Sequence, residues 1–313
     1  MENIIYSLNA TTPVFLTIVI GYVLKRTGMF QGNFISVANK FNFNVTLPAL
    51  LFQDISRTDI RESFDLKFMA FCAIVTTICF WSIWGITKMV MKDKSMIGAF
   101  VQASFRGSAA VLGIALIQNV YGNSVMAPLM IVSSVPLYNI YSVIVLTYEA
   151  SNEDEKKIKN AFINICKNPI IIGIALGAAA SLLHLEFPVI IDKTISNMAS
   201  IATPLALIVI GAGFEGKKAL AKLKPTMIAS FIKLILQTAV FLPIAAWMGF
   251  RGEKLLCLII MLAAPTTVSC YIMARDMEND EVLTSSVIVA TTLFSAFTVT
   301  GWIYITKALG LIG

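Results

Sequence analysis

Histidine occurs once in this chain, at position 184, and acidic side chains number only 18 among 313 residues. Chemistry built on an imidazole base, a histidine-held metal or a nucleophile–base pair has little to work with. No Asp or Glu stands deep in an apolar run; Asp54, Glu149, Asp192 and Asp276 fall at run edges. A buried carboxylate pair relaying protons is therefore not expected, and neither is an intramembrane enzyme. Charged residues reach 13% of the chain, where soluble domains carry about 25%, which excludes a soluble fold. The five cysteines (72, 79, 166, 257 and 270) lie in or beside apolar runs without metal-ligand spacing and read as small core hydrophobes. The net charge of +6 sits mostly in loops and at run ends, which is no footprint for nucleic acid.

What the chain has in abundance is apolar length. Its residues are 57% hydrophobic and its mean hydropathy is +0.80. The runs are continuous and near 20 residues, which suits membrane-spanning helices and not the dyad alternation of a barrel. Ten spans are expected: 4–24, 35–53, 66–88, 97–120, 125–148, 161–183, 189–214, 226–248, 254–274 and 283–306. The most polar stretch, 149–160, contains Glu153-Asp154-Glu155-Lys156-Lys157 and reads as a cytoplasmic linker. His184 falls at an outer span end and reads as interfacial.

The chain also repeats itself. An offset of 156 residues carries Pro13 onto Pro169, Gly21 onto Gly177 and Pro48 onto Pro204. The expected architecture is thus an all-α integral membrane protein of two five-helix units, 1–148 and 161–313. Five spans per unit is an odd number, so the second unit enters the membrane from the opposite side. Inverted repeats broken by Gly or Pro at matching places are the mark of a secondary transporter. Lys and Arg favour one side of the loops by 15 to 7, which puts both termini outside the plasma membrane of a bacterial cell.

The fourth span reads Gln102-Ala103-Ser104-Phe105-Arg106-Gly107-Ser108-Ala109-Ala110-Val111-Leu112-Gly113. Its counterpart in the second unit includes Ala263-Ala264-Pro265-Thr266-Thr267-Val268-Ser269. Both combine small residues, hydroxyls and helix breakers at mid-span. Broken backbone at that depth survives where it lines a cavity or is buried, and half-helix N-termini there suit a carboxylate. Arg106 stands nine residues into its span, roughly 13 Å deep, where a cation is costly and a functional candidate. Lys233 lies nearer a span end, where snorkelling to the interface explains it equally well. The candidate substrate-binding residues are Arg106, Gly107, Ser108, Ala109, Gly113, Pro265, Thr266, Thr267 and Ser269. Asn44 joins them from the cluster Asn39, Asn42 and Asn44, whose amides otherwise bond neighbouring helices.

At Leu47-Pro48-Ala49-Leu50-Leu51-Phe52, Phe105-Arg106-Gly107-Ser108, Thr203-Pro204-Leu205-Ala206-Leu207, Ala263-Ala264-Pro265 and Ser269-Cys270-Tyr271-Ile272-Met273-Ala274, the chain resembles bacterial members of the auxin efflux carrier (AEC) family. That family belongs to the bile acid/arsenite/riboflavin transporter superfamily. The resemblance implies a crossover fold like that of sodium/proton antiporters, with the fourth and ninth helices broken. Helices one, two, six and seven would form a scaffold that often dimerises; helices three to five and eight to ten would form a moving transport domain. It implies a permease for small organic anions such as malate, malonate or auxin-like acids; no cofactor is expected, and coupling to sodium, coupling to a proton and uniport all stay open. The family often has Asn where Ser108 stands, Pro where Ala115 stands and Asn near Ser269. Two further readings stay open: a sodium-coupled symporter of the bile-acid-transporter type, and a non-transporting sensor on the same fold.

Overall fold

The computed structural model describes residues 2–30, 33–57, 65–108, 126–150, 166–214 and 216–312, with only the backbone of 2–11. All regular structure among the described residues is helical. Among the described residues, five helices are long and apolar enough to cross a membrane: Leu66–Val90 (α4), Met126–Ala150 (α6), Val189–Gly213 (α8), the continuous helix Leu223–Trp247 and Glu281–Ala308 (α14). The protein is thus a multi-pass, all-α membrane protein. The other helices are Glu2–Arg26 (α1), Phe34–Phe41 (α2), Leu47–Ser56 (α3), Ile97–Phe105 (α5), Pro169–Leu182 (α7), Gly216–Ala221 (α9), Gly252–Ala263 (α12) and Ser269–Asp276 (α13).

Two of the long helices carry a π turn. Asn42–Thr46 joins α2 to α3, and the Leu47 amide donates to the Asn42 carbonyl. Pro48 follows at once; it supplies no N–H and crowds the carbonyl four residues back, a conflict the wider turn absorbs. The second π turn, Ile232–Leu236, joins Leu223–Phe231 (α10) to Gln237–Trp247 (α11) within Leu223–Trp247.

α1 packs on α8, and α3 packs on α7. Glycines let the backbones close up. A Cβ on Gly21 would collide with the Ile208 backbone, and one on Gly177 would stand 2.9 Å from the Phe52 carbonyl oxygen. These two contacts are related by the same 156-residue offset that aligns the halves, 21 to 177 and 52 to 208.

Most described helix ends match the apolar runs to within a few residues; the sixth does not, since its run begins at 161 but its helix starts at Pro169, behind the Asn168 cap. The fourth run stops being helical at Phe105, and the ninth is interrupted from Ala264 to Val268. Glu149 is not linker: it closes α6, where it accepts from Trp84 Nε1 at 2.7 Å and pairs with Lys88 at 3.5 Å. The rest of the expected linker lies outside the described residues. Cys166 is exposed, unlike the other four cysteines, so the core reading fails there.

Candidate functional site

α5 and α12 end within reach of each other in the middle of the bundle. α5 stops because Arg106 turns extended (φ −94, ψ 132) ahead of Gly107. α12 stops because Pro265 forces its predecessor Ala264 out of the helical region, to φ −62 and ψ 147. The Ser108 amide then donates to the Pro265 carbonyl at 2.8 Å, joining the two breaks. Carbonyls left open at the end of α5 find side-chain partners: Thr266 Oγ1, in the break after α12, donates to Ala103 O, and Gln237 Nε2 of α11 to Ser104 O, each at 2.7 Å. The Thr266 amide in turn donates to Thr291 Oγ1 at 3.1 Å.

A cavity of about 970 Å³, open mouth included, lies against this crossing. One wall is the crossing itself: Arg106, Gly107, Ser108, Pro265, Thr266, Thr267 and Ser269. The opposite wall is the i, i+3, i+4, i+7 face of α3 (Leu47, Leu50, Leu51 and Asp54) with Ala202, Thr203 and Ala206 of α8. The cavity therefore runs along α3 towards its C-terminal end, where Arg57 pairs with Asp192 at 2.7 Å. In the other direction it meets Ile272 of α13. There Asn39 Nδ2 donates to the Ile272 carbonyl at 3.3 Å, and Tyr271 is buried against Ile18, Leu207 and Ile210. That end is closed.

Arg106 is 3% exposed and edges the cavity from within the wall. Its guanidinium donates from Nη2 to Asn139 Oδ1 and Ser269 Oγ, both at 2.7 Å, and from Nη1 to Met273 Sδ at 3.0 Å and Ser142 Oγ at 3.3 Å. All four acceptors are neutral. Arg106 thus fastens the end of α5 to α6 and α13 while keeping its charge uncompensated by any carboxylate among the described residues.

Eight of the ten sequence-derived candidates are described, and seven of them meet at the crossing. Asn44 does not join them: it is exposed and its amide donates to Lys40 O on its own helix, at 2.8 Å. The buried amides of that cluster are Asn39, bonded to Ile272 O, and Asn42, which donates to Ala202 O at 2.9 Å. Ala109 and Gly113, like Ala115, lie outside the described residues. Sequence reasoning missed two groups. Asp54, placed at a span edge by counting, lines the cavity; its spacing from Leu47, Leu50 and Leu51 was the available signal. Lys233, for which snorkelling sufficed, is fully buried and reaches inward to the crossing. The π turn that aims it inward has no sequence signature.

The description "Membrane transport protein" fits the chain from residue 6 to residue 303. The chain belongs to this family, that of the auxin efflux carriers. Family relatives match along almost their whole length. The uncharacterized transporter YfdV of Escherichia coli K12 is 26% identical over 306 residues, covering 94% of this chain and 96% of its own. A Rhizobium meliloti protein provisionally named a malonate transporter is 24% identical over 307 residues, 95% of this chain and 94% of that one. An uncharacterized transporter of Methanothermobacter thermautotrophicus is 22% identical over 303 residues, 95% and 97% of the two chains.

Proposed function

We propose that the chain is a permease for small organic anions, a secondary transporter that binds carboxylates such as malonate, malate or auxin-like acids at the crossing. The carrying observation is the pairing of an uncompensated buried Arg106 with hydroxyls of Ser108, Thr267 and Ser269 in one cavity wall. A cation held at membrane depth without a carboxylate partner raises the local anion affinity. The Rhizobium relative's name supports malonate as a first substrate to test.

In this reading the chain makes ten crossings arranged as two inverted five-helix repeats. The matched contacts Gly21–Ile208 and Gly177–Phe52, one in each scaffold crossing, support it. The scaffold consists of α1, α2–α3, α7 and α8; the remaining long and broken helices carry the site past it. With both termini outside, the Asp54 end of the cavity faces outward and the α13 end faces inward. Alternating access would open the site to these two sides in turn. A homodimer through the scaffold, and sodium or a proton as coupling ion, belong to the same proposal.

The test is counterflow in proteoliposomes loaded with unlabelled malonate, malate or indole-3-acetate, with labelled substrate outside, in sodium and in potassium buffers. Accumulation of label with one of these anions is the expected result. No accumulation with any carboxylate, from protein that is folded and correctly inserted, overturns the proposal in favour of a non-transporting relative.

A further inference from the structure

Lys233 is 0% exposed, and its ammonium lies directly behind Gly107. A Cβ added to Gly107 would stand 2.9 Å from both Cε and Nζ of Lys233. Gly107 in turn lines the cavity. Gly107, which has no side chain, thus stands between this nitrogen and the cavity, with the Ala264 carbonyl oxygen beside it.

The surroundings of the nitrogen specify its protonation. It faces Leu262 O at 2.9 Å, Met261 O at 3.3 Å and Gln237 Oε1 at 3.5 Å. Those are three acceptors, and an ammonium has three donors and nothing to accept with. The two carbonyls belong to the last turn of α12, whose partial negative charge favours a cation there. Gln237 is oriented to present its oxygen because its Nε2 is spent on Ser104 O, at 2.7 Å. The π turn Ile232–Leu236 turns Lys233 inward, and Trp302 Nε1 caps its Leu234 carbonyl at 3.0 Å.

The crossing thus holds two cations, Arg106 and Lys233. Neither has a carboxylate partner among the described residues; both are bonded to neutral acceptors. The helix end beneath Lys233 offsets only about half a charge. The carboxylate facing the same cavity is Asp54, on the opposite wall towards the Arg57 end.

We infer that Lys233 is a second cation of the anion site, acting across Gly107, and that the pair makes the cavity prefer a dicarboxylate to a monocarboxylate of the same size. This rests on the anion-transport reading above and narrows its substrate class. Lys233 is a positioning and field-supplying residue: it reaches the substrate through the electric field and not by contact.

The experiment measures affinity of the full-length protein in nanodiscs for malonate and succinate against their monoamides, malonamate and succinamate, by isothermal titration. The monoamides keep the shape and remove one charge. Wild type is expected to bind a dicarboxylate about tenfold tighter than its monoamide, and Lys233→Gln to bring that ratio to within about threefold. Glutamine keeps a donor for the α12 carbonyls, so the substitution removes charge more than packing; Lys233→Arg should hold the ratio above the glutamine value. Lys233→Gln retaining the full ratio overturns the role of Lys233 and leaves the anion-transport reading standing. A wild-type ratio near one overturns the dicarboxylate preference whether or not any variant folds. Binding of none of the four overturns both readings together.

Discussion

The Ser108 amide donates to the Pro265 carbonyl oxygen at 2.8 Å, fastening two interrupted helices to each other at their breaks. Each break leaves carbonyls that a membrane interior cannot solvate, and neighbouring helices supply the donors. The crossing is therefore held by side chains, Thr266 within it and Gln237 outside it, and that makes it open to test by substitution.

Gln237→Leu and Thr266→Val each leave a carbonyl of the last turn of α5 without its side-chain donor, Ser104 O and Ala103 O respectively. Each should destabilise by about 1–3 kcal/mol. Thr298→Val, whose hydroxyl is exposed and bonded within its own helix, should change little. Thermal unfolding of the three proteins in one detergent reads the difference, and equal midpoints would show the caps to be dispensable.

Arg106→Lys keeps a cation and loses the fork that reaches Asn139, Ser142, Ser269 and Met273 together. Carboxylate affinity should fall about tenfold and the unfolding temperature should fall with it. Affinity at the wild-type level would mean that charge alone suffices and that the four bonds serve no purpose in binding.

Gly211→Ala puts a methyl group against the Ile18 carbonyl at the α1–α8 crossing. Overpacking there should cost about 1–3 kcal/mol. Gly85→Ala meets open space within 4 Å and lies inside a helix, so it should be neutral or stabilising by about 0.4–1 kcal/mol. Opposite signs in one unfolding assay are the expected outcome.

Asp65 caps α4: its carboxylate accepts from the Phe68 amide at 3.0 Å and pairs with Lys254. The Lys254 hydrogen bond first, and the Phe68 amide second, hold its carboxyl below the usual carboxylate value of 3.8. A depressed folded-state value stabilises above the unfolded value and is lost as pH falls through the folded one. Wild-type stability should therefore decline below about pH 4, and Asp65→Asn, which keeps a cap without the charge, should decline less. Parallel acid profiles for the two proteins would count against the pairing.

Asn42→Ala removes the bond to Ala202 O between the π turn and α8 and should lower stability, whereas Asn44→Ala should leave stability and carboxylate binding unchanged. Titration of malonate against both variants separates the amide that holds the helices from the one that faces outward.

Local chemistry made most of the helical course legible in the amino-acid sequence. Apolar length placed the helices and Pro265 marked the break at Ala264, because each signal acts through the backbone of its own neighbourhood; the paired Gly21 and Gly177 marked the repeat, and only the structure showed that both sit at close crossings. The break at Phe105 was harder, since Gly107 stops a helix only weakly and the bond to Pro265 O comes from 157 positions further along.

Charge at depth was legible only in part. Arg106 announced itself by position, but its four neutral acceptors come from two other helices. Lys233 looks like a snorkelling residue in sequence, because its distance from the span end allows that. In the structure it lies within a π turn and points to the crossing, where Gly107 leaves the room it needs. By itself the sequence determined that this is a helical membrane protein with interrupted helices and one deep arginine, since those follow from composition and local backbone chemistry. Only the tertiary structure decided that a second cation stands behind the cavity wall and that Asp54 faces it, because both depend on how helices far apart in the chain are rotated against one another.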